Sequence, residues 1–129
     1  MSGSYQGAHA RLVEVLEAAG KAAPAGVQFG ATGKPGPLGN PPMALVPAPE
    51  LTWDAVMGAP TEAVFEVVIA VAADERAIER LFLLLPIVTA AIDDADGLDA
   101  SVLSATPGVW RTGGTDLPCY FVRTEIATS

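Results

Sequence analysis

With 129 residues, half of them apolar, the chain has the length of one domain and enough material for a core without disulfide or metal staples. Fifteen acidic against seven basic residues leave a net charge of −8, which excludes the basic footprint that binding a phosphate backbone requires. The single cysteine, Cys119, cannot form an internal disulfide and fits a reducing compartment, and its place in an apolar run between Pro118 and Tyr120 predicts buried packing.

The first residues, MSGSYQGAHARL, contain no uncharged apolar block of the secretory kind, and residues 1–5 are expected to be disordered. From Gln6 the pattern turns helical. Leu12, Val13, Leu16 and Ala19 share a stripe opposite Arg11, Glu14 and Glu17, with Gly20 expected to cap the C-terminus. His9, the only histidine, falls among polar residues of this helix and has no Cys or second His beside it to found a zinc site. Residues 25–31 alternate Val27 and Phe29 with Gln28 and Gly30, predicting a brief strand.

Residues 32–42, TGKPGPLGNPP, are too rich in Gly and Pro for helix or central strand and predict an extended arm. Long loops of this kind are commonly functional, which makes Lys34 and Leu38 candidates for contact with a partner. The embedded GATGKPG is not a phosphate loop, because Gln28 stands where the first Gly belongs and Pro35 where Ser or Thr would hold magnesium. A strand is expected at 43–46, bent by Pro47 and Pro49 and resuming over 51–55 with Trp53 on one face. Residues 56–60 turn the chain.

The stretch 61–92 dominates the pattern. Its odd positions Ala63, Phe65, Val67, Ile69, Val71 and Ala73 are all apolar, while Glu62, Val64, Glu66, Val68, Ala70 and Ala72 make a mixed second face. A central strand results, with Glu62, Glu66 and Val68 as the expected meeting place for a neighbouring copy. Asp74 is placed to N-cap the following helix, in which Ile78, Leu81, Phe82, Leu85, Val88 and Ile92 form one apolar stripe. Pro86 is expected to kink the helix or split it at Leu85. No run of about 20 apolar residues predicts a membrane span.

Residues 98–104 read as a strand, Pro107-Gly108 as a turn, and 109–112 with 115–126 as a hairpin around Gly113-Gly114, setting Arg111 opposite Asp116. Tyr120, Val122 and Ile126 fall on one face of the last strand, Cys119 and Phe121 on the other. The order predicts an α+β domain, a mainly antiparallel sheet flanked by two helices.

Chemistry-bearing constellations are weak. Asp93, Asp94, Asp96 and Asp99 miss the glycine and glutamate of a calcium loop, no GxSxG elbow occurs, and Glu62 with Glu66 reads as an exposed strand face rather than an acid–base pair. Neither an enzyme nor a cofactor is expected. Trp53 and Trp110, near Pro- and Gly-rich turns, are candidate interface anchors.

Four segments carry a resemblance: RLVEVLEAAG, NPPMALVPAPELTWDA, TEAVFEVVIAVAADERAIERL and TPGVWRTGGTDLPCYFVRTEIA. In their order, spacing and alanine-rich composition, the chain resembles the tail terminator (tail completion) proteins of long-tailed bacteriophages, particularly those of actinobacteria. The resemblance implies a tail-terminator-like domain whose copies form a homo-hexameric ring on the head-proximal end of the tail tube. That ring ends tube polymerisation and joins the head connector. Its partners would be the major tail tube protein and the head–tail connector (stopper) protein, with genome DNA passing through the lumen without specific binding and no membrane involved. The protein would be assembled in the host cytoplasm and reside in the virion tail. A ring of six acidic copies would keep DNA from adhering to the channel wall.

No catalytic residues come with the family, and the segment 32–42 departs from it. The candidate interface residues are Lys34, Leu38, Trp53, Glu62, Glu66, Val68, Trp110 and Arg111. Two alternatives stay open: another connector component such as a stopper, often a β-barrel and disfavoured by the helical signal over 75–92, and a small cytoplasmic α+β ligand-binding domain or enzyme.

Overall fold

A computed structural model describes residues 5–34, 41–53, 58, 60–112 and 114–128. The elements are α1 (Tyr5–Ala22), β1 (Gly30–Thr32), β2 (Met43–Leu45), β3 (Glu50–Thr52), β4 (Glu62–Ala70), α2 (Ala77–Asp93), β5 (Ala100–Thr112) and β6 (Thr115–Ala127). The domain is α+β, with a mostly antiparallel sheet of six strands; among the described residues β1 and β2 make the one parallel pair.

β4 is the central strand. One edge pairs with β6 over its whole length, from Glu62↔Ala127 to Ala70↔Cys119. The other edge is shared, β3 taking its first residues and β2 its last. Pro47 and Pro49 lie between those two short strands, so the predicted proline bend is what lets one segment pair twice with the same neighbour. The second of them stops at Thr52, and residues 54–57 of the expected extension and turn lie outside the described residues.

Alternation along β4 sorts the core. Ala63, Phe65, Val67, Ile69 and Val71 are fully buried under both helices, which contribute Leu12 and Leu16 from α1 and Leu81, Leu84, Val88 and Ile92 from α2. On the opposite face Leu45, Val68, Ala70, Leu117 and Cys119 form a smaller cluster, as the period of two in β4 and β6 requires. Both helices therefore cover the same face of the sheet.

Several expectations are corrected. Tyr5, assigned to a disordered terminus, opens α1, and residues 1–4 lie outside the described residues. Gly20 is no cap: the helix continues to Ala22, and Gly20 is buried where a Cβ would stand 2.0 Å from the Phe29 carbonyl oxygen. The strand expected over 25–31 begins only at Gly30, because β1 takes its register from β2. Asp74 does not cap α2, which starts three residues later behind Arg76 and has no side-chain cap.

Pro86 leaves α2 unbroken. It and Phe82, whose carbonyl it cannot bond, are both exposed, so water can serve the freed oxygen. Pro107-Gly108 is not a turn either. β5 runs straight through it as an edge strand, paired among the described residues only with β6, and an edge strand tolerates the missing proline donor. Its irregularity is instead a bulge between Val102 and Ser104. The predicted hairpin register, Arg111↔Asp116, is the observed one, while Gly113 lies outside the described residues.

Gly20 yields a test in which two effects oppose. Gly20→Ala gains about 1 kcal/mol of helix propensity. The same methyl meets a backbone carbonyl, and the overpacking costs about 1–3 kcal/mol. With the contact this close the clash outweighs the propensity, and urea unfolding is expected to show a less stable variant.

Candidate interaction surfaces

The second sheet face is built by side chains that alternation turns away from the helices. Register pairs place Val68 beside Phe121 and Phe121 beside Thr106, while Glu66 stands beside Arg123 and Arg123 beside Ser104. Among the described residues no helix covers this face. Past Ala70↔Cys119 the β5–β6 hairpin runs on beyond the end of β4, and Trp110, opposite Leu117, extends the apolar floor there. Gly108 is required under the Phe121 ring, which a Cβ would approach to 2.5 Å.

Three adjoining hollows make a furrow that begins beside the start of α1 and continues onto this face. The largest, about 540 Å³, lies between the start of α1 and the β2–β3 connection and is lined by Tyr5, His9, Leu45, Pro47, Pro49 and Trp110 among others. The next, about 360 Å³, shares Pro47, Ala48 and Trp110 with it and continues over Val68 and Phe121 to Glu50, Glu66 and Arg123. The last, about 240 Å³, shares Glu66, Phe121 and Arg123 and ends at Ser104 and Thr106. The furrow is thus uncharged at its α1 end and charged farther along. Arg123 Nη1 stands 3.6 Å from Glu66 Oε1, with both side chains about half exposed, and such pairs contribute at most about 1 kcal/mol.

His9 has a structural task here, contrary to its expected polar surroundings. Its Nε2 lies 2.8 Å from the Val46 carbonyl oxygen, and since that oxygen only accepts, Nε2–H is the donor. Its ring stacks on Phe65 at a centroid distance of 6.1 Å. The Trp110 indole N–H is buried without an acceptor among the described residues, an unmade bond that costs about 1–3 kcal/mol.

A second surface lies on the outside of α2. The buried stripe is Ala77, Leu81, Leu84, Val88 and Ile92, so Ile78 and Phe82, expected in the core, are instead exposed at 66% and 58%. Leu83, at 52%, joins them, and Pro86 and Ala90 are exposed as well. From Leu81 to Ile92 the helix carries no charged residue at all. A helix lying on one sheet needs only one apolar stripe, and an apolar outer face marks a surface meant to be covered. Exposed Asp93, Asp94 and Asp96 follow it, and further charges gather before it, at Glu75, Arg76 and Glu79. There the Asp74 carboxylate accepts the Arg76 backbone N–H at 2.9 Å and the Arg80 guanidinium, in that order of effect, and both hold its pKa below the ordinary 3.8.

The predicted site residues divide. Glu66, Val68 and Trp110 meet at the furrow, but Val68 is only 1% exposed and belongs to the subunit's own second cluster. Glu62 is half-buried at the start of β4. Trp53 is exposed, its Nε1–H donating to the Gly58 carbonyl at 3.1 Å. Lys34 is exposed, its backbone N–H donating to Thr32 Oγ1 at 3.2 Å, and Arg111 is exposed near the hairpin tip. None of those last three lines the furrow. Leu38 lies outside the described residues.

Sequence reasoning missed Ile78, Phe82 and Leu83 as surface residues. The signal available was the uncharged run itself, too apolar all round for a helix with one buried side. Among the described residues no group of His, Cys, Asp or Glu could hold a metal, and no helix is long and apolar enough to cross a membrane. Compared with known proteins, the sequence matches no family model and no curated protein.

Burial pushes the Cys119 thiol up to about 11. Alkylation with iodoacetamide at pH 8 is therefore expected to leave the native protein unlabelled and to label it fully once unfolded in urea. Asp74 gives a pH test. Its carboxylate is favoured in the folded state, so its contribution is complete above the unfolded value and is lost as pH falls through the lower folded one. Asp74→Asn should lower stability at neutral pH, and the gap to the wild type should close in acid, as read by urea midpoints.

Proposed function

We propose that the chain is a structural subunit of the phage tail, a terminator whose copies close into a hexameric ring on the head-proximal end of the tail tube. In that role it stops tube growth and presents a docking surface to the head connector, within the virion and without catalysis or cofactor. The observation that carries this reading is the uncharged, exposed outer face of α2 in a chain of net charge −8. Copies so strongly acidic repel one another, and contact is favoured where charge is absent and apolar surface is ready to be buried. The resemblance of the four sequence segments supplies the identity of the assembly, and the two-helix α+β domain suits it better than a barrel-type connector component.

A second reading has its own support. A hollow of about 540 Å³ with aromatic and proline walls falls within the range of small-molecule pockets, which keeps a ligand-binding α+β domain as the alternative.

Electron microscopy of the purified protein, alone and added to tail tubes, separates the two. Rings seated on tube ends, together with tubes that no longer lengthen, are the expected result. Monomers or dimers that never cap a tube would sink the terminator reading and leave the pocket as the surviving explanation.

A further inference from the structure

We draw no further inference here: the strongest candidate, the exposed apolar outer face of α2 at Ile78, Phe82 and Leu83 together with the furrow that runs from the start of α1 past Trp110 to Arg123, carries nothing because nothing in the structure shows what covers either surface.

Discussion

The buried row on β4 is the constraint from which the rest of the structure follows. Ala63, Phe65, Val67, Ile69 and Val71 lose all contact with solvent, and a side chain the size of Phe65 contributes about 1.5–3 kcal/mol by that burial. Both helices lean on this row, and both edges of β4 are paired, so its register is fixed from three directions. A slip of one residue would expose the row and bury Glu62 and Glu66. The connection out of β4 has a further effect. α2 carries the chain across to β5 at the sheet's edge, and β6 returns to fill the place between. The helices are thereby committed to one face.

What remains is a mismatch between polarity and cover. The second face keeps a small apolar cluster with Phe121 and Trp110 on it, and the indole N–H there has no acceptor among the described residues. α2 keeps a row of large apolar side chains in water. An isolated domain gains nothing from either, since each exposed apolar patch forgoes burial and invites aggregation. Proline and a bulge in β5 are familiar means of discouraging unwanted edge pairing, which makes the bare helix face beside them the more pointed exception.

The elements legible in advance were those where local pattern and tertiary demand coincide. β4 could be read because alternation over nine residues has one reading, and the β5–β6 register could be read because a glycine pair allows a tight turn in few ways. The misreadings share one cause. Gly20 and Gly108 look like punctuation, yet each is needed for space, one against the Phe29 carbonyl and the other under the Phe121 ring, and neither partner is near in sequence. The α2 stripe was displaced for a related reason: where nearly every position is apolar, periodicity cannot say which side faces the sheet. Of the candidate site, Glu66, Val68 and Trp110 were named beforehand, but the furrow that joins them was not.

Sequence by itself determined the class of fold, the central strand with its buried row, the net acidic charge, and the twelve-residue stretch without charge. These are properties of composition and short-range periodicity, which survive without knowledge of neighbours. Only the tertiary structure decided that both helices share one face, that Ile78, Phe82 and Leu83 point outward, and that Pro47, Trp110, Phe121 and Arg123 border one furrow. Those outcomes depend on contacts between residues up to about a hundred positions apart, and no local pattern encodes which side of a sheet a uniformly apolar helix will choose.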